Sequence, residues 1–400
     1  MPMTRLFGRR QAAVLLAAVL LVAASAVQTP AKEPYILGVN LDLTGPWADT
    51  NTRLKKAMQM EIERINEQGG VNGRPVRLRI KDNGFNVSQA SVNMLNFARE
   101  PDVLAVIGPF EDTFQSTTRA IAERQKVTNV IVCPSNPKVR ALSQKWSFNI
   151  AHNDRIVAKK LAELCQARGY ERVLSLPGNW TLAQSLAANL KRFGAERGIA
   201  VHISEETHKP SDIDMTPQVI KTKPRLEQEN IEAIFASTGG PPAPILCKNI
   251  RNQGIELPIL GTHAFGFGYI IELGGQAVEG VEFPSGKTVT PYQLDEDDPA
   301  KPVIVGFHER MQKRWGIGAD QISGHGYDIV WMLYQAMERI QGRITRAKLR
   351  DSLEQTSGFV GCTGVFDYGP NDHDGLSPDD LILMRIKGQA FERVRLNGAE

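Results

Sequence analysis

From Tyr35 to about Phe283 the chain alternates short β-branched apolar runs with longer stretches whose apolar residues recur at helical spacing, a pattern few folds accommodate. Residues 35–42 read as a strand. Residues 50–68 follow as a helix with Leu54, Met58, Ile62 and Ile65 on one face, and Gly69-Gly70 ends it. Residues 76–82 form a second strand, 88–100 a helix opened by a serine cap at Ser88, and 103–107 a short buried strand. A helix over 115–125 and a strand over 130–133 complete the cycle. Strands each followed by a helix predict a parallel sheet covered on both faces, with ligands held by loops at the carboxyl ends of the strands.

The N-terminus is of another kind. Arg5, Arg9 and Arg10 precede an unbroken small-apolar run from Ala12 to Ala24, which ends in Ala24-Ser25-Ala26. A basic start, a run too short to cross ~30 Å of hydrocarbon comfortably and a small-residue ending predict a signal peptide over residues 1–26 and a periplasmic location. The leader carries three arginines and no acids, so the mature part has equal numbers of basic and acidic residues. That balance gives no footprint for nucleic acid. Roughly 370 residues remain, more than a single core of ~250 residues holds, so two domains are expected.

A second series supplies the other domain. It runs as helix 154–168, strand 173–176, helix 182–197, strand 201–205, strand 233–236, helix 243–253 and strands 259–260 and 281–283. The two series predict an α/β protein of two doubly wound parallel-sheet lobes with a cleft between them. Asp295-Glu296-Asp297-Asp298 reads as a solvated loop. Helices over 302–315, 324–341 and 346–356 then precede two short strands ending near Ile386.

Motifs for catalysis are missing. There is no G-x-S-x-G, no phosphate-binding G-x-x-x-x-G-K-S/T and no H-E-x-x-H, and the Gly266-Phe267-Gly268 sequence lacks the rest of a dinucleotide fingerprint. Cys133, Cys165, Cys247 and Cys362 have neither C-x-x-C spacing nor a nearby histidine pattern, so buried thiols are expected rather than a metal site; a disulfide stays open. His152, His202, His208, His308, His325 and His373 are scattered and read as structural or solvent-facing. Neither an enzyme nor a cofactor is expected.

Several segments carry a family resemblance. Val39-Asn40-Leu41-Asp42-Leu43-Thr44-Gly45-Pro46, then Ile65-Asn66-Glu67-Gln68-Gly69-Gly70-Val71-Asn72-Gly73-Arg74-Pro75-Val76, open the chain in the manner of the branched-chain amino-acid-binding, or type I periplasmic-binding, family. Val106-Ile107-Gly108-Pro109, Val132-Cys133-Pro134-Ser135, His325-Gly326-Tyr327-Asp328 and Gly361-Cys362-Thr363-Gly364-Val365-Phe366 follow in the order that family shows. The resemblance spans essentially the whole mature chain. It implies two lobes joined by a three-strand hinge, the first made of residues 34–152 and 285–366, the second of 153–284 and 367–395. It also implies a monomeric substrate-binding subunit of an ABC importer, whose partners are a small ligand and membrane permease subunits. A ligand-sensing module on the same lobes is the rival; the leader, with no second apolar span before Glu400, favours a freely diffusing binder.

The resemblance also places the ligand. First-lobe loops matching the family's carboxylate-binding loops contain Asp112, Thr113, Ser135 and Asn136. Asp112 falls where the family has a ligand-binding serine; it reads equally as a cap on the following helix. His263 falls where amino-acid binders carry an acid for the ligand's ammonium. Trp47 matches a cleft position, and Trp180 with Thr181 replaces the family's glycine-tyrosine loop. Phe265 and Phe267 are expected in the core. These departures point to a small organic or aromatic acid paired with His263. A branched-chain or other hydrophobic amino acid stays open if Asp112 or Glu111 holds its amine.

Overall fold

The structure is a computed structural model, and it describes residues 32–133, 139, 141 and 145–396. The expected signal peptide and the expected ligand residues Ser135 and Asn136 lie outside the described residues. The first sheet has strands β1 (Tyr35–Leu41), β2 (Val76–Asp82), β3 (Val103–Ile107), β4 (Thr128–Ile131) and β5 (Ser147–Asn149), in the order β2-β1-β3-β4-β5. Every pairing is parallel. Helices α1 (Ala48–Glu67), α2 (Val87–Arg99) and α3 (Gln115–Gln125) connect them. The cap of α2 is Asn86, whose side chain accepts the Gln89 N–H, and not Ser88. A cap residue must stand outside the helix; Asn86 is extended while Ser88 is already helical.

The second sheet is built from α4 (Asp154–Arg168), β6 (Arg172–Pro177), α5 (Thr181–Ala195), β7 (Ala200–Ile203), α6 (Thr216–Gln228), β8 (Ala233–Ser237), α7 (Pro242–Asn252), β9 (Ile259–Leu260), α8 (Gly268–Gly274) and β10 (Glu282–Gly286). The chain continues through α9 (Lys301–Trp315), α10 (Gln321–Glu338), α11 (Arg346–Glu354), the hairpin β11 (Phe359–Val360) and β12 (Val365–Phe366), and finally β13 (Leu381–Lys387) and β14 (Ala390–Val394). The strand order is β14-β13-β10-β9-β8-β6-β7, parallel from β7 to β10, with β13 and β14 antiparallel at one edge.

Helices α9 to α11 return to the first sheet. Helix α10 lies along α1, where Gly326 lets the backbones meet: a Cβ there would stand 2.9 Å from the Leu54 carbonyl oxygen. Glu61 on α1 is wholly buried and accepts hydrogen bonds from Arg64, from Arg310 on α9 and from Trp331 on α10. This gathers three helices on one carboxylate. Arg346 of α11 donates to the carbonyls of Phe97, Ala98, Glu100 and Val103 at the ends of α2 and β3.

Three segments therefore cross between the sheets: residues 150–153, 287–300 and 367–380. The first and third run side by side. The Tyr368 hydroxyl donates to the Asn149 carbonyl at 2.6 Å, the Asn149 N–H to the His373 carbonyl at 2.8 Å, and Asn153 Nδ2 to Asp374 at 3.0 Å. The His373 ring stacks on Phe148 with centroids 4.0 Å apart. At the second crossing, Thr288 donates to the Cys362 carbonyl at 2.7 Å, while buried Asp328 accepts the N–H groups of Cys362 and Thr363. The four cysteines are free thiols; Cys133 is half-buried and the others are buried.

Candidate functional site

A cavity of about 60 Å³, several times the space one water requires, lies between the two sheets. Its walls come from segments that follow the strands of both. Trp47 stands after β1, Phe110 to Asp112 after β3, and Cys133 after β4. From the second sheet come Trp180 after β6, Thr238 and Gly239 after β8, and Thr262 to Ala264 after β9. This is the carboxyl-end placement that parallel sheets dictate. Gln321, Ile322 and His325 on α10 close one side, and Leu182, Ala183 and Leu186 on α5 another.

Contacts between the lobes cross this space. Asp112 Oδ2 accepts the backbone N–H of Leu182 at 2.9 Å, so a first-lobe carboxyl caps the first turn of second-lobe α5. Asp112 is thus a helix cap, though on α5 rather than on the helix that follows it. The Trp47 indole, tilted against Phe110 at 5.4 Å, reaches over to Gly240. A Cβ on Gly240 would stand 2.2 Å from that ring, and its φ of +68° lies in the left-handed region.

Burial sets the charge of the site. Asp112 adjoins Glu111, and its carboxyl is pushed well up, first by burial and then by the hydrogen bond and charge of Glu111. Glu111 Oε2 accepts the Trp47 Nε1–H at 2.9 Å. Burial likewise pushes His263 and His152 down to about 3, and His325 well below its usual value, which leaves all three imidazoles neutral near pH 7. No lysine or arginine lines the cavity among the described residues.

Gln321 orders the histidines. Its Oε1 accepts the Gly286 N–H at 2.9 Å, which fixes the amide orientation. Its Nε2 then donates to His152 Nδ1 and His325 Nε2, both at 3.3 Å. A neutral imidazole that accepts at Nε2 carries its proton at Nδ1. His325 therefore presents an Nδ1–H, which is buried and without a partner among the described residues, as is His263 Nδ1.

Of the expected ligand residues, the cavity brings together Trp47, Asp112, Trp180 and His263. Thr113 and Thr181 do not line it. Thr113 is exposed in the short turn after Asp112, and Thr181 precedes the Leu182, Ala183 and Leu186 face that α5 turns inward. Phe265 and Phe267 are both in the core as expected, and Phe267 is also a wall of the cavity. Phe110, Gln321 and His325 were not foreseen as walls. His325 belongs to a segment that the family resemblance singled out, but only the packing of α10 on α1 turns it toward the cavity.

A family profile described as periplasmic binding protein matches residues 34–390. The leucine-, isoleucine-, valine-, threonine- and alanine-binding protein of Pseudomonas aeruginosa is 22% identical over 276 residues, covering 69% of this chain and 71% of its own. The Leu/Ile/Val-binding protein homolog 3 of Brucella melitensis is 22% identical over 356 residues, covering 88% and 92%. Among solved structures, an extracellular ligand-binding receptor from Rhodopseudomonas palustris superposes with a TM-score of 0.81 at 20% identity, over 91% of this chain and 100% of its own. A leucine binding protein from Thermotoga maritima gives 0.77 at 22%, over 90% and 97%.

Proposed function

Because the chain belongs to the periplasmic binding protein family, we propose that it is the solute-binding subunit of an ABC-type importer, enclosing a small organic ligand between its lobes. The observation that carries this reading is the cavity whose walls come from both sheets and which the Asp112 carboxyl spans to the Leu182 N–H. In this reading one lobe comprises residues 34–152 with 285–366 and the other 153–284 with 367–395. The mature protein works in the periplasm as a monomer, performs no chemistry on its ligand and hands it to membrane permease subunits.

Ligand binding shifts the lobes toward closure by its differential affinity for the closed state; moving a 1:99 equilibrium to 99:1 takes about 5.5 kcal/mol. Trp47, Phe110, Trp180 and Phe267 favour a ligand with an apolar or aromatic body. A small aromatic acid and a hydrophobic amino acid both have one; His263 speaks for the first and the names of the relatives for the second. The test is titration of the purified protein with both classes, followed by mass spectrometry of the recovered compound. Saturable one-to-one binding with the ligand returned unchanged supports the proposal. Turnover of the ligand, or no saturable ligand in either class, overturns it.

A further inference from the structure

Resting on that reading, we propose that His152, His263 and His325, three imidazoles enclosed where the lobes meet, make closure sensitive to acid: a proton on any of them favours the parted lobes, so solute binding weakens as pH falls, whatever the solute. The three rings arrive from three places. His152 lies in the first crossing between the sheets, His263 in the turn after β9 of the second sheet, and His325 on α10, which packs on α1 of the first. They are 0%, 6% and 3% exposed. Gln321 ties the group to both lobes: its Nε2 reaches His152 and His325, and its Oε1 accepts the Gly286 N–H of β10. His263 Nδ1 and His325 Nδ1 are buried and without a partner among the described residues. A charge on either ring would therefore be enclosed without a full set of acceptors.

The charges that act on these rings are one another's. Burial disfavours the charged form of each; His152 adds to this at His263 and His325, and His263 adds at His325, while the Thr363 backbone alone works the other way, on His152. The acids on the elements packed around them are engaged elsewhere. On α10, Asp320 pairs with Arg53 of α1 and Asp328 accepts from Cys362 and Thr363. On β10 and the crossing after it, Glu282 pairs with Arg168, and Lys287 with Asp298. In the cavity wall, Glu111 holds the Trp47 indole and Asp112 the Leu182 N–H; Asp42, next to Glu111, is buried and does not line the cavity. Parting the lobes returns the rings to water, where an imidazole takes its proton near pH ~6.5. The closed form thus binds fewer protons at these rings than the open form, and closure loses stability as pH falls through about 6.5. Asp112, whose carboxyl burial pushes up, acts in the opposite sense, one group against three.

Calorimetric titration with leucine and with benzoate, whose own charges hold between about pH 5.5 and about pH 7.5, reads the effect. Whichever binds should bind at least about tenfold more weakly at about pH 5.5 than at about pH 7.5. Near pH ~6, heats compared in buffers of unlike ionisation enthalpy should show protons released on binding. Replacing two rings together, by His263→Gln and His325→Gln, should remove most of the difference between the two pH values, whatever it does to affinity at either one. Ring signals of the wild type in proton NMR give a readout that needs no variant: the three histidines should titrate near pH ~6.5 in the free protein and stay neutral to below about pH 5 when it is saturated. Equal affinity at the two pH values, the same pH dependence in the double variant, or identical ring titration with and without the bound probe overturns the proposal while solute binding stands. Binding of neither probe at either pH removes the solute-binding reading and this proposal with it.

Discussion

The carboxyl of Asp112 accepts the backbone N–H of Leu182 at 2.9 Å, and the two residues belong to different lobes. A cap on a helix ordinarily comes from the residue just before it; here Trp180, at that position, offers no side-chain bond, and the cap arrives from across the cleft. Asp112→Ala should therefore act on closure, losing about 1 kcal/mol, or roughly fivefold in ligand affinity. Asp112→Asn keeps an acceptor oxygen and should still reach the contracted form in solution scattering. Equal ligand affinity in the wild type and Asp112→Ala would show the contact to be idle.

Gly240 gives a steric counterpart. An alanine there meets the Trp47 ring and must also adopt a left-handed φ, a strain of roughly 1–2 kcal/mol. Gly240→Ala should weaken ligand binding at least about tenfold. Adding Trp47→Leu to it should cost less than the two single effects combined, because one substitution removes the ring that the other strikes. Strict additivity in the double-mutant cycle would contradict the contact.

Much of this architecture is legible in the sequence, and the exceptions have physical reasons. The helices over Gln115–Gln125 and Asp154–Arg168 agree with the pattern of apolar residues because each buries one stripe against its sheet. Helix α6 escapes notice because only Val219 and Thr222 are buried and Pro224, a residue that ordinarily ends helices, lies inside it. Strand β5 is three residues long, too short for any period. At the site, Trp47 and Trp180 stand out as aromatics in loops after strands. His325 does not, since its surroundings come from α1, β10 and the crossing at His152, all distant in sequence.

Asp42 makes stability depend on pH. Its carboxyl is buried and pushed up to about 7, first by burial, with the charges of Glu111 and Asp82 adding to the effect. The folded chain thus keeps this proton to higher pH than the unfolded chain. The stability it contributes is full below about pH 4 and is lost as pH rises through about 7. Asp42→Asn should escape that loss. Its stability relative to the wild type should rise on the order of 2 kcal/mol between about pH 5 and about pH 8 in denaturant titrations. A difference independent of pH would refute the assignment.

Glu61 should matter for stability and not for ligand affinity. Glu61→Ala strips the acceptor from Trp331 and two guanidinium groups. The cost should be about 2 kcal/mol, less than for a fully enclosed pair, because Arg64 and Arg310 are 30% and 33% exposed and can turn to water. Thermal unfolding of the unliganded protein measures it. Loss of less than about 0.5 kcal/mol would mean that the three helices are held by apolar packing alone.

Enclosure of a small solute between two hinged lobes can be read by solution X-ray scattering of the mature protein with and without a saturating ligand. A smaller radius of gyration is expected with ligand, and a reduced contraction in Gly240→Ala at the same saturation. Superimposable scattering curves for the free and fully liganded wild type would contradict it.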